Sequence, residues 1–233
     1  MFIVIDGIDG SGKSTQIKLL QKRIKKECGI TSKTIHFPQY GKKSAGLAEE
    51  YLNGKYGNAE DVSAYQAALF YALDRYDASF MMREWLSEDR VILSDRYTSS
   101  SMAHLGGKIY KKLAREKFLN WLCHLESQIL KIPKPDLSII LDIEAKSAQI
   151  LINQKNKKGL DRKYLKNKKN KDIHEASAAH LKNTAKIYRE IGQKYQKFIT
   201  INCMRDNGEL KTILEIHEEI WGKLKKQKNG YFI

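Results

Sequence analysis

Cysteine and proline are both scarce: three of each in 233 residues. Cys28, Cys123 and Cys203 are odd in number, far apart and without a C-x-x-C pair, so they form neither a disulfide framework nor a zinc site. Free thiols of a reducing compartment are the expectation. Three prolines exclude a proline-rich linker or a collagen-like chain. Apolar runs such as Ile139 to Leu141 fall far short of the roughly 18 residues a membrane span needs. The opening run Met1 to Ile5 meets Asp6 at once, with neither a basic n-region nor a signal h-region, and a cytoplasmic protein is expected. The six histidines are scattered and make no catalytic cluster, and no internal repeat is visible.

What is present is an ordinary globular balance, 42% hydrophobic and 30% charged, enough to build a core. The length suits one large α/β unit with insertions. The unusual bulk number is the net charge of +15. It fits a polyanionic partner, whether nucleic acid, an acidic surface or a phosphorylated small molecule. It equally fits a solvated, lysine-rich surface.

Five strand-like segments punctuate the chain: Phe2 to Asp6, Thr34 to Phe37, Val91 to Ser94, Leu137 to Ile143 and Phe198 to Asn202. They are short continuous apolar runs, as in strands buried on both faces of a parallel sheet. Between them helical patterns cover Lys13 to Glu27, Ala45 to Leu52, Val62 to Leu86, Lys111 to Leu130, His174 to Tyr195 and Glu209 to Lys226. In the first, Ile17, Leu20 and Ile24 share a face and lysines take the other. Alternating strand and helix predicts an α/β three-layer sandwich with a five-stranded parallel sheet and right-handed crossovers. The whole of 1–233 reads as one domain, with Asn153 to Lys171 as a mobile insertion.

Gly7-Ile8-Asp9-Gly10-Ser11-Gly12-Lys13-Ser14 fits G-x-x-x-x-G-K-[ST], and it lies between the first strand and the first helix, as the motif requires. Glycines let the backbone wrap an anion with its N–H groups pointing inward, and the helix N-terminus adds positive potential. Lys13 would reach the β and γ phosphates of an NTP, and the Ser14 hydroxyl would ligate Mg²⁺. Asp95 ends the third strand, where a parallel sheet presents a carboxylate for that metal. Beside it Arg96 could clamp a second phosphate bidentately.

Asp6-Gly7-Ile8-Asp9-Gly10-Ser11-Gly12-Lys13-Ser14-Thr15, Phe37-Pro38, Phe70-Tyr71-Ala72-Leu73-Asp74-Arg75, Asp95-Arg96-Tyr97 and Pro133-Lys134-Pro135-Asp136 resemble thymidylate kinases in order and spacing. The likeness runs from Met1 to about Asn202. It implies the P-loop NTPase type of α/β fold, phosphoryl transfer from Mg·ATP to dTMP, a homodimer, and neither a stable nucleic-acid partner nor a membrane. By the same resemblance Asp9 would contact the acceptor sugar and help organise phosphate and metal, with Phe37 and Tyr40 lining the pocket. Tyr71 would stack on the base, Arg75 would bond the thymine carbonyl, and Arg96 would hold the acceptor phosphate. Ser100 and Ser101 would lie near the pyrimidine edge. Tyr71 and Arg75, four apart on a predicted helix, share a face in any case. Each residue also has a plainer reading. Tyr71 could be a core aromatic, Arg75 could pair with Asp74 or Asp77, the serines could cap a helix, and Phe37-Pro38 could simply end a strand.

A nucleoside monophosphate offers a phosphate oxygen whose second pKa is about 6. It needs no general base, so catalysis reduces to aligning two polyanions and neutralising the charge between them. From 153 to 172 the chain carries nine basic residues against Asp161 and Asp172. The resemblance makes this segment the lid over ATP. Gly10 stands where some family members have a phosphate-loop arginine, which implies that the lid supplies the catalytic one, and Arg162 is the lid's single arginine. Asp172 matches an acidic position near the acceptor sugar. A lid with one arginine among many lysines departs from the pattern, because lysine lacks the planar fork. His104 departs too, standing where relatives often place an aromatic that crowds the sugar 2′ position. Two alternatives stay open: another deoxynucleoside monophosphate kinase, or a basic P-loop protein that binds nucleic acid.

Overall fold

In the computed structural model, residues 1–157 and 178–226 are described. All five expected strands form, as β1 (Phe2–Asp6), β2 (Lys33–His36), β3 (Ile92–Asp95), β4 (Leu137–Asp142) and β5 (Phe198–Asn202). They make one parallel sheet in the order β2-β3-β1-β4-β5. The first strand is central because Phe2, Ile3, Val4 and Ile5 are apolar without interruption and all fully buried. Its alternate side chains feed two cores. Phe2 and Val4 join Ala78, Met82 and Tyr97, whereas Ile3 and Ile5 join Ile17, Leu20 and Ile24. Each such aliphatic side chain contributes about 1.5–3 kcal/mol on burial.

Among the described residues, eight α-helices flank the sheet. They are α1 (Lys13–Cys28), α2 (Gly46–Leu52), α3 (Ala64–Ser87), α4 (Thr98–Gly106), α5 (Lys112–His124), α6 (Ala145–Lys157), α7 (Ala178–Lys194) and α8 (Ile213–Lys225). α1 packs with α8, while α4 packs with α3, α5 and α7, which gives the three layers. The long α3 starts at a capping box, Ser63 with Gln66, which satisfies two backbone donors that would otherwise be orphaned.

Two differences from expectation have physical causes. Helix α4 was not anticipated, because Thr98, Ser99, Ser100 and Ser101 are poor helix interior residues and only tertiary packing overrides them. The pattern from 111 to 130 is broken, since α5 gives way to a π-helical turn over Leu125–Ile129. That turn's extra residue closes through the Leu130 N–H to the Leu125 carbonyl and sets Glu126 inward. Within the expected insertion, residues 153–157 continue α6, and 158–171 lie outside the described residues.

Candidate active site

The phosphate loop joins β1 to α1 by way of three glycines with positive φ: Gly7, Gly10 and Gly12. At two of them space as well as conformation demands glycine. A Cβ on Gly7 would lie 2.7 Å from the Leu141 carbonyl oxygen, and one on Gly10 would lie 2.5 Å from the Ala148 carbonyl oxygen of α6. Position 10 therefore has no room for a side chain, arginine included. Lys13 folds back over the loop and donates to the carbonyls of Gly7 (3.1 Å) and Ile8 (2.9 Å). Burial, then the nearby Arg96 guanidinium, pulls its pKa below the usual lysine range. The Ser11 hydroxyl is buried with no partner among the described residues. Ser14 and Thr15, in the first turn of α1, are exposed.

Arg96 follows β3 in left-handed backbone, φ 69°, a conformation that costs a non-glycine residue on the order of 1–3 kcal/mol. Its N–H bonds the Ile5 carbonyl of β1 (3.1 Å), which holds the bend. The guanidinium is ion-paired to Asp9 of the phosphate loop and donates to Ser100 Oγ (2.9 Å) and the Gly7 carbonyl (3.4 Å). It also meets His104 Nε2 at 3.1 Å. An arginine can only donate, so His104 Nε2 is the acceptor and its proton sits on Nδ1. His104 Nδ1 lies 3.3 Å from His180 Nε2 on α7, which must then accept. Burial lowers the His180 pKa to about 4, so that ring is neutral at pH 7.

A pocket of about 540 Å³ of empty space opens from Arg96. Asp9, Phe37, Tyr40, Tyr71, Arg75, Ser100, Ser101 and His104 line it together with Arg96, so the residues that the resemblance sent to the acceptor come together here. At its far end Arg75 is buried, but not against Asp74 or Asp77. Its Nε and Nη2 bond the two oxygens of Glu126 (3.0 and 2.5 Å), and Nη2 also reaches Ser101 Oγ (2.9 Å). Those contacts occupy three of the five N–H groups and leave the two of Nη1 without a hydrogen bond among the described residues. The two serines thus divide, Ser101 going to Arg75 and Ser100 to Arg96.

Asp74 instead accepts from the Gln39 N–H (2.8 Å) and Ser44 Oγ (2.7 Å), tying the Phe37-Pro38 segment, whose peptide bond is cis, to α3. Sequence reasoning missed a buried carboxylate at each junction. Asp6, just before the loop, accepts from the Gly7 N–H (3.0 Å), Ser99 Oγ (2.6 Å) and the Tyr188 hydroxyl of α7. Burial pushes its pKa up, against the pull of Arg96. Glu126 is held by Arg75 and Thr98 Oγ1 (2.6 Å). Asp6 was visible as a charge inside an apolar strand, but nothing near Glu126 in sequence marks it.

A family model described as thymidylate kinase matches residues 5–220. The chain belongs to the thymidylate kinase family. A thymidylate kinase of Mycobacterium tuberculosis (strain ATCC 25618 / H37Rv) is 32% identical over 149 residues, which span 64% of this chain and 68% of that one. A probable thymidylate kinase of Methanocaldococcus jannaschii is 31% identical over 225 residues, covering 97% and 96%. The solved thymidylate kinase of Candida albicans superposes with a TM-score of 0.70 over 98% of this chain and 92% of its own. At 22% identity, that last likeness is one of fold.

Kinases of this fold bring Mg²⁺ with the nucleotide, and the donors here fit it. Ser14 and Asp95 offer hard oxygens, and their side chains make no hydrogen bond or ion pair among the described residues. Mg²⁺ takes one or two protein oxygens beside phosphates and water. No cluster of three or more His, Cys, Asp or Glu side chains stands ready for a metal among the described residues. No helix there is long and apolar enough to cross a membrane. Arg162 and Asp172 lie outside the described residues.

Proposed function

We propose that this chain transfers the terminal phosphoryl group of ATP to dTMP, giving dTDP and ADP on the route to dTTP. Beside family membership, one observation carries the reading. The Gly7 carbonyl accepts from both Lys13 and Arg96, so the cation of the phosphate loop and the cation of the pocket converge on a single peptide. Two anions held by those cations would lie end to end. That is the arrangement phosphoryl transfer needs and a one-ligand site has no use for.

In this mechanism the loop N–H groups and Lys13 hold the β and γ phosphates. Arg96, steadied by Asp9 and Ser100, exchanges bonds within the protein for bonds to the acceptor phosphate. Tyr71 stacks on the base, Phe37 and Tyr40 wall the pocket, and Arg75 offers Nη1 to the thymine carbonyl. Ser101 and His104 fill the base and sugar sides, and Asp9 with Asp172 serves the sugar. Mg²⁺, on Ser14 and Asp95, supplies charge neutralisation between the phosphates when bound. The acceptor oxygen attacks as the dianion, so no side chain has to take a proton. Arg162, in a lid at about 153–172 of a single 1–233 domain, supplies a further cation to the transferring group. Steric closure of position 10 supports a lid origin for that arginine.

A cytoplasmic homodimer completes the reading. Tyr65, Leu69, Leu73, Tyr76 and Phe80 of α3 are each about 40–60% exposed at spacings of three and four. Such an apolar stripe suits pairing with a second copy. The decisive assay couples ADP release to ATP with a panel of nucleoside monophosphates. Turnover highest with dTMP supports the proposal; preference for another monophosphate makes this a different deoxynucleotide kinase, and turnover with none overturns it.

A further inference from the structure

A second cavity, with about 1300 Å³ of empty space including its mouth, lies beside the acceptor pocket. It runs from the start of α4 past the end of α5 and the π-helical turn to the first residues of β4 and β5. The two cavities share Tyr97, and Glu126 lines the second while Arg75 lines the first. One buried ion pair is thus the partition between them.

The chemistry of the lining is specific. Met102, Ile132, Pro133 and Pro135 give it apolar walls. Tyr195 and Phe198, with ring centroids 5.8 Å apart, make an aromatic side. Lys134, Lys194 and Lys197 stand exposed at the rim, and none pairs with a carboxylate among the described residues. Lys194 lies 5.8 Å above the Tyr195 ring. Glu126, the only carboxylate in the lining among the described residues, is already committed to Arg75 and Thr98. An apolar, partly aromatic chamber with unneutralised cations at its mouth selects a flat apolar body carrying an acid.

We infer that this cavity is a second ligand site, that it takes small aromatic organic anions, and that it communicates with the acceptor pocket through the Glu126–Arg75 pair. A ligand that displaces Glu126 changes the direction in which Arg75 presents Nη1. Acceptor affinity then changes by the same factor by which the acceptor changes affinity for that ligand. The communication rests on the proposed acceptor role of the first pocket, whereas binding does not.

The probe is 8-anilinonaphthalene-1-sulfonate with the full chain, and Cys123, which lines the cavity, is the reporter. Burial, then the Glu126 charge, raises the Cys123 pKa, so its modification by an aromatic disulfide is followed at mildly alkaline pH in a Cys28→Ser background. The expected result is saturable binding that slows Cys123 modification and shifts KM for dTMP. The rim reversal Lys194→Glu/Lys197→Glu should weaken binding by about tenfold or more while the melting temperature holds. An unchanged Cys123 rate, or unchanged affinity in the reversal variant, overturns the site and assigns the probe elsewhere, for instance to the α3 stripe. Protection of Cys123 without a KM shift overturns the communication alone. Absence of dTMP turnover in probe-free enzyme strikes the proposed function, and the thiol readout still decides the site.

Discussion

Two arginines mark the ends of the proposed acceptor pocket, and they are held in opposite ways. Arg75 is buried, 1% exposed, and locked by both oxygens of a buried glutamate and by Ser101. Arg96 sits in strained backbone at an open mouth, sharing its donors among Asp9, Ser100, His104 and a loop carbonyl. A locked guanidinium offers one edge in one direction, which suits a neutral base whose identity must be read. A guanidinium with several interchangeable partners can give them up for a phosphate that arrives with charge of its own. On the proposed function, the difference is one between recognition and neutralisation.

The largest expected effect breaks the open end. Arg96→Ala should cost roughly 10⁴-fold in kcat/KM while leaving the fold intact, because it removes transition-state charge rather than packing. A loss confined to KM would make Arg96 only a docking group. At the locked end the cost moves to stability. Glu126→Ala strands a buried guanidinium and should lower unfolding free energy by about 3–5 kcal/mol in urea titration. A change below about 1 kcal/mol would mean that the pair is no tighter than a surface one.

Acid sharpens the contrast, because only the Arg96 end leans on histidines. His180 has its folded pKa lowered from 6.5 to about 4, so the folded state resists a proton that the unfolded chain accepts. Its contribution is present in full above pH 6.5 and is lost as pH falls toward 4. Between pH 7.5 and 5 the loss is about 2 kcal/mol, and His180→Gln should remove that slope. His217, also lowered by burial, retains a smaller slope of the same sign. The smallest effects come from the serines. Ser100→Ala should raise KM a few-fold for every nucleoside monophosphate alike, and Ser101→Ala should loosen base choice, each through about 1 kcal/mol of hydrogen bonding. Identical selectivity in both variants would erase the division between the two ends.

Much of this was legible in the residues. The phosphate loop could be placed because glycines, lysine and serine must follow one another within a single turn. β1 announced itself as an uninterrupted apolar run, and β3 and β4 as apolar runs with a single serine in each. Tyr71 and Arg75 could be set on one face by helical spacing alone. What stayed hidden depended on distant parts of the chain meeting. Glu126, on a turn one residue wider than an α-helix, gives no local sign that it will face Arg75, 51 positions earlier. Asp6 finds Tyr188 only across 182 positions. The serine-rich start of α4 hides a helix, because its stability comes from neighbours such as α7 rather than from its own propensity.

The central claim is that Lys13, on the ATP phosphates, and Arg96, on the acceptor phosphate, converge on the Gly7 carbonyl and stabilise a single transfer. A double-mutant cycle on kcat/KM for dTMP with Lys13→Ala and Arg96→Ala tests it most directly. If the two work as a unit, the double variant should fall little below the worse single variant. Losses that simply multiply would show two cations acting independently of each other, and the account would be wrong.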